Sequence, residues 1–337
     1  MKKKYVLVGD IGGTNTKLGI FNIKKNKPVL IFLLKFKSNE FRSIIPAIKK
    51  MLSYAKEHNI KLNKACLAVA GPVSANRDFC NLTYVKWNVN TKEILKKTSL
   101  ETFLINDFEA IGYGINLLKK KDFLIIRKNR KTLPKATKAI IGAGTGLGKC
   151  ILAYDDKDQD YIPVASEGGF SDFPVQNELE SELVNFIKKR KRIKETISCE
   201  EAISGKGIES IYLFLRKLRK YSLTKYTNEI DKSKDKAALI MNYKGKDTTC
   251  KETFNLYVKF YARCAKNFAL ESLARGGLYI TGGIASKNKE IFTDKVFIKE
   301  FEKVNKQPQI LKQIPIYLIT NQKIGLYGAA YAAIKKN

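Results

Sequence analysis

Hydrophobic and polar positions alternate along this chain in two rhythms. Short apolar runs at residues 31–36, 65–70, 102–105 and 316–319 are bounded by polar or turn-forming residues and read as strands. Between them lie stretches with apolar residues three and four apart. Residues 41–58, with Ile44, Ile45, Ile48, Leu52 and Ala55, predict an amphipathic helix; others are expected up to residue 118, near 178–193 and 199–220, and from about Ile324. Residues 253–274 are apolar nearly all round, which places that helix in a core. Gly325, Gly328, Ala329, Ala330, Ala332 and Ala333 predict close helix approach for the terminal helix. Strands interleaved with helices make this an α/β chain. Only residues 221–251, polar and lysine-rich, lack a clear period; a helix and a mobile surface loop are expected there.

One design occurs twice: an apolar strand, a tight glycine turn and a second apolar strand. The first turn is Gly9-Asp-Ile-Gly-Gly-Thr-Asn15 and the second Gly142-Ala-Gly-Thr-Gly-Leu-Gly148. Such turns offer bare backbone N–H groups and a hydroxyl, Thr14 or Thr145, to an anion. The second turn is not a dinucleotide fingerprint, because Leu147 stands where the third glycine belongs and a strand follows. Nor is it a Walker A loop, because Ala143 and Cys150 replace its first glycine and its hydroxyl residue. Each turn alone reads equally well as an ordinary β-hairpin. Paired, they point to two lobes gripping one polyphosphate, and so to a nucleotide-dependent phosphotransferase.

Composition mainly excludes. A chain of 337 residues with 44% hydrophobic content folds around one large core or two. No apolar run approaches the ~18–20 residues of a membrane span. The N-terminal Met-Lys-Lys-Lys precedes an apolar stretch too short for a signal peptide, so a cytoplasmic protein is expected. Six scattered cysteines and a single histidine make no zinc motif and read as reduced thiols. The net charge of +31 is spread as lysine doublets, with local concentrations at 188–192 and 119–138, and lacks the interleaved aromatics of a nucleic-acid surface. Solvated lysine is the expectation, and nucleic acid is not an expected partner. His58 reads as a surface or capping residue near a helix end, and the lone Trp87 as packing.

The two turns do not stand alone. Ile105-Asn-Asp-Phe-Glu-Ala110, Glu167-Gly-Gly169, Ser198-Cys-Glu-Glu-Ala-Ile-Ser-Gly-Lys-Gly207, Ile280-Thr-Gly-Gly283 and Ile314-Pro-Ile-Tyr-Leu-Ile319 follow in order. Together these seven motifs resemble the bacterial-type glucokinases of the actin-like ATPase superfamily, over essentially the whole chain. The resemblance implies a two-lobed, ribonuclease H-like α/β fold with a cleft between a small domain, residues 1–116 plus 323–337, and a large one, 117–322. It implies ATP and Mg²⁺ as cofactors, glucose as acceptor and a homodimer. Position by position, Asp10 matches the residue that holds Mg²⁺, usually through water. Gly9, Gly12, Gly13, Thr14 and Asn15 match the first phosphate loop, Gly144, Thr145 and Gly146 the second, and Gly282 and Gly283 the adenosine loop. Asp107 matches the catalytic base, with Asn106, Glu167, Glu200, Gly71 and Phe170 at sugar-contacting positions.

The chemistry of these residue types agrees. A sugar hydroxyl barely ionises at neutral pH, so an acceptor must orient it in line and take its proton. Asp107 falls at the carboxyl end of a strand, where α/β sheets bind ligands, though it reads also as a helix N-cap. Glu200 reads also as a helix-start carboxylate. Two departures bear on the sugar: Phe170 replaces the histidine usual after Glu-Gly-Gly, and Thr83-Tyr84 replaces Thr-Asn. Tyr84 either narrows the sugar end or shifts its loop. The alternatives are therefore a kinase of fructose, mannose or an amino sugar, or a sugar-binding regulator that has lost catalysis.

Overall fold

In the computed structural model, which describes residues 4–129 and 133–336, the chain divides into two compact units. One comprises Met1–Asp122, Cys150–Ala165 and Asn321–Asn337, the other Phe123–Lys149 and Ser166–Thr320, in their described parts. The first three residues and, in the basic stretch 119–138, Arg130, Lys131 and Thr132 lie outside the described residues.

The first unit contains β1 (Lys4–Ile11), β2 (Asn15–Lys24), β3 (Lys27–Lys37), β4 (Leu62–Val69), the short pair β5 (Phe79–Asn81) and β6 (Asn88–Asn90), and β7 (Glu101–Asn106). Five of them form a sheet of order β3-β2-β1-β4-β7. The first three strands meander antiparallel, while β4 and β7 join in parallel. Parallel strands need a crossover, and α1 (Ile45–Glu57) and α2 (Thr91–Thr98) lie on the connections into β4 and β7. The helix expected from residue 41 starts only at Ile45, with Pro46 in its first turn, where a missing N–H costs nothing. At its other end His58 Nδ1 donates to the Tyr54 carbonyl (2.9 Å), a capping role.

Both faces of this sheet are apolar, so its central strands read as unbroken hydrophobic runs. Leu7, Leu67 and Val69 face a cluster with Ile45, Ile48 and Met51 of α1. Val6, Val8, Cys66 and Ala68 face the opposite cluster, with Leu326, Ala329, Ala330 and Ala333 of the terminal helix Ile324–Lys335. That helix also packs on α3 (Asp107–Ile115), and the small-residue stripe explains how. A Cβ on Gly328 would stand 1.8 Å from the Ala110 carbonyl oxygen, so the two backbones touch.

Beyond α3 come β8 (Phe123–Arg127), β9 (Lys138–Ala143), β10 (Leu147–Asp155), β11 (Asp160–Ser166), β12 (Gly277–Thr281) and β13 (Ile316–Ile319), in the order β11-β10-β9-β12-β13-β8. β12 runs parallel to β9 and β13, and β8 antiparallel to β13. The helices of the second unit are α4 (Glu178–Lys191), α5 (Cys199–Ile203), α6 (Gly205–Lys217), α7 (Lys225–Lys232), α8 (Lys236–Asn242), α9 (Thr248–Glu271), α10 (Gly283–Lys287), α11 (Glu290–Thr293), α12 (Lys295–Glu302) and α13 (Pro308–Gln313). α9 is the expected core helix, with Tyr257, Phe260, Tyr261 and Phe268 buried.

Two expectations change. The single helix over 199–220 is broken at Ser204, whose Oγ accepts from Gly207 N–H (3.3 Å) while Gly205 N–H turns away to the Gly144 carbonyl (3.0 Å). Residues 221–251 hold two capped helices, α7 and α8, and the start of α9, rather than one helix and a loop. Asp247 ties them: it accepts from Thr224 Oγ1 (2.6 Å) and from Cys250 N–H (2.9 Å). All six cysteines are buried free thiols. Among the described residues no helix is long and apolar enough to cross a membrane.

Candidate active site

In the first unit the turn between β1 and β2 is closed by Gly12 N–H on the Asn15 carbonyl (3.0 Å), leaving Thr14 exposed at its tip. Gly9 and Asp10 end β1. The antiparallel register sets Lys17 directly across from Asp10, and Lys17 Nζ donates to Asp10 Oδ2 at 3.0 Å. Asp10 also lies at the start of the terminal helix: a Cβ on Gly325 would come within 3.9 Å of its carboxylate. A helix N-terminus favours negative charge there.

At the carboxyl end of β7 the chain passes directly into α3. Asn106, not Asp107, is the N-cap: its Oδ1 accepts from Phe108 N–H (2.8 Å) and Glu109 N–H (3.3 Å). Glu109 reaches back to Asn106 N–H (3.4 Å), completing a capping box. The buried Glu109 carboxylate is neutralised by Arg77 at 3.0 Å and Lys336 at 3.5 Å. Asn106 Nδ2 donates to the Gly71 carbonyl (3.3 Å), which brings those two candidates together. Asn106 thus spends its acceptor on the cap and one amide hydrogen on the Gly71 loop. Asp107, half-buried, occupies the first helical position.

The second unit holds the remaining candidates. Gly144-Thr145-Gly146 join β9 to β10, closed by Gly144 N–H on the Gly146 carbonyl (2.8 Å), with Thr145 exposed. Gly282, at the end of β12, has φ +99°, and a Cβ there would stand 2.4 Å from the Ala143 oxygen. Only glycine accepts both conditions. A Cβ on Gly144 would lie 3.9 Å from Gly283 N, so the expected second phosphate turn and adenosine loop are neighbours.

Glu200 stands in the first turn of α5, and its Oε2 accepts from Leu147 N–H at 2.8 Å. Glu167 precedes the tight turn Gly168–Phe170; burial, and then the charge of Glu200, raise its carboxyl above the ordinary range. The two carboxylates therefore feel one another. Phe170, three residues after Glu167, is 48% exposed.

Sequence reasoning gave Lys149 no role. It is 2% exposed and pins the Glu167 turn from beneath, its stem against Gly168 and its Nζ 3.5 Å from Ser171 Oγ, which donates to the Gly168 carbonyl (2.8 Å). The alternation along β10, which puts residue 149 on the same face as buried Leu147, was the signal. A hydrogen bond with Cys264, helped by the Lys149 ammonium, holds the Cys199 thiol below its ordinary range against the opposing effect of burial. Glu109 was present in a motif and assigned nothing; its partner Arg77 carried no local signal.

The comparisons bear on the whole chain. Its sequence matches the Glucokinase family over residues 7–336. It is 36% identical over 347 residues to a glucokinase of Nostoc sp. (strain PCC 7120), covering 98% of this chain and 99% of that one. The fold is similar to a crystal structure of glucokinase from an Antarctic psychrotroph (TM-score 0.78, 28% identity, 99% of both chains). It is also similar to glucokinase from Balamuthia mandrillaris, solved in complex with glucose (TM-score 0.80, 22% identity, 99% of this chain and 94% of that one). The two-unit α/β architecture is that of the actin-like ATPase sugar kinases, and the chain belongs to the glucokinase family of sugar kinases.

Proposed function

We propose that this enzyme transfers the terminal phosphoryl group of ATP to glucose, giving glucose 6-phosphate, with Asp107 as general base toward the sugar hydroxyl. Family membership supports the sugar, and the paired glycine turns support the polyphosphate donor. The observation that carries the role of Asp107 is the division of labour at the start of α3. The N-cap is Asn106, so Asp107 is not needed as the cap, although its Oδ1 shares the Phe108 N–H at 3.0 Å. A carboxylate held at a strand end by a neutralised capping box is positioned to accept a proton as the bond to phosphorus forms. Glu167 and Glu200 accept from sugar hydroxyls, each carboxylate having capacity for more than one donor.

The residues fit Mg²⁺ bound largely by water and phosphate oxygens. Asp10 offers a single carboxylate, and no cluster of three or more metal-ligating side chains occurs among the described residues. When bound, the ion neutralises charge on the transferring phosphoryl group. Lys17, paired with Asp10 at 3.0 Å, holds the orientation of that carboxylate. The same reading makes the enzyme a cytoplasmic homodimer, its assembly open to sedimentation of the purified protein.

Asp107→Ala is expected to lower kcat by about 10²–10⁴ while nucleotide Kd stays within twofold of wild type. Turnover near the wild-type rate would remove Asp107 from the role. Phe170 favours a second reading, a kinase of fructose, mannose or an amino sugar, which a sugar panel with ATP separates from glucose.

A further inference from the structure

Ser38 lies far from the first glycine turn in sequence and closes over it in space. It follows β3 and is fully buried (0% exposed), so its hydroxyl has no water to bond. Oγ donates to the Gly12 carbonyl at 2.6 Å, and Thr16 Oγ1 lies 3.0 Å away. A serine hydroxyl has one proton, and a carbonyl only accepts. That proton belongs to Gly12, and Thr16 is the donor in the second bond. The backbone of Ser38 is committed as well: its N–H donates to the Thr14 carbonyl (3.1 Å), and its carbonyl accepts from Trp87 Nε1 (3.1 Å).

Two carbonyls of the turn, on either side of Gly13, are thus drawn to one residue. In a planar trans peptide the C=O and the following N–H point in opposite directions. Holding the Gly12 carbonyl against Ser38 therefore turns the Gly13 N–H the other way, out of the protein's own hydrogen bonding. Tyr84 fixes the remaining freedom. Its Cβ lies 2.5 Å from where a Gly13 Cβ would be, so the turn is braced by Tyr84 and Trp87 from the same loop. Buried, and bonded through its hydroxyl, its N–H and its carbonyl, Ser38 has the features of a part that aims another part.

We infer that Ser38 is a positioning residue for phosphate binding: it orients the Gly13 N–H of the first turn, with Trp87 coupled to it. The inference rests on the reading of residues 12–15 as a phosphate turn. It goes beyond that reading by naming what sets the turn's geometry, and it makes Trp87, the only tryptophan in the chain, a reporter of that turn.

The test is nucleotide and glucose affinity of Ser38→Ala, Ser38→Thr and Thr16→Val in the full-length enzyme, with Trp87 emission recorded as ATP is added. Ser38→Ala leaves a buried carbonyl and hydroxyl unpaired, and is expected to raise the ATP KM about tenfold with the glucose KM within twofold. The emission change on ATP addition shrinks in parallel, and Ser38→Thr, which keeps the hydroxyl, restores both. A general loss of stability would move both substrates together. If Ser38→Ala does not fold, Thr16→Val, which removes the donor onto Ser38, is expected to show the same split more weakly. Thr14→Ala and Gly13→Ala separate the two levels. If they weaken ATP binding and neither Ser38→Ala nor Thr16→Val does, the role of Ser38 is overturned and the turn survives. If ATP binds all these variants as it binds wild type, the turn itself is not the phosphate site, and the inference falls with it.

Discussion

Phe170 follows the Glu167-Gly-Gly turn, half exposed, at a position where a ring that neither donates nor accepts contributes nothing polar to a sugar. Replacing it by histidine restores one or two hydrogen-bonding atoms. Phe170→His is expected to lower the glucose KM by a few-fold to about tenfold, and an unchanged or higher KM in a coupled assay would show that the position does not face the sugar. At this scale the sequence was most informative where chemistry and backbone coincide. Asp10 and Asp107 stand at strand ends beside glycine turns or helix starts, and both positions were readable from local pattern. Ser38 and Arg77 were not, because their roles consist of contacts with residues distant along the chain.

Among the elements, α9 is held to its neighbours by a buried ion cluster as well as by aromatic packing. Arg263 pairs with Glu180 of α4 at 2.7 and 3.0 Å and with Glu300 of α12 at 3.1 and 3.2 Å, and also donates to the Pro174 carbonyl (2.7 Å). Removing the cation leaves two buried carboxylates without their counter-charge, although Glu180 keeps Gln176 N–H (2.7 Å) and Asn177 Nδ2 (3.0 Å) as donors. Arg263→Met is expected to destabilise the protein by about 3–5 kcal/mol, read by denaturant unfolding; a loss under 1 kcal/mol would mean that solvent reaches the carboxylates. The helical periods showed α4, α9 and the terminal helix, whereas the break at Ser204 left no trace in them. Periodicity records which face is buried, and both α5 and α6 bury the same kind of face. What interrupts them is the loss of Gly205 N–H to the Gly144 carbonyl, a tertiary hydrogen bond. Residues 221–251 misled for a related reason: α7 and α8 are only eight and seven residues long, too short for a helical period to show, and each begins at a cap.

For the whole molecule the excess of 63 basic over 32 acidic residues is a cost as well as a field. Like charges repel in the compact state, and salt screens them with a range of about 10 Å at 0.1 M. The melting temperature is therefore expected to rise by a few degrees between low and physiological sodium chloride. A fall would mean that the ion pairs, Arg263 with its carboxylates among them, outweigh the repulsion. Composition and alternation determined the α/β class and the strand-rich centre of each unit, and the two glycine turns set the expectation of a bound polyphosphate. These follow from neighbours in sequence, where backbone geometry and hydrophobic period act directly. Only the tertiary structure decided that Lys149 lies under the Glu167 turn and that Ser38 holds the first turn. Buried polar groups must find partners wherever the fold brings them, and that pairing is written in space, not in spacing along the chain.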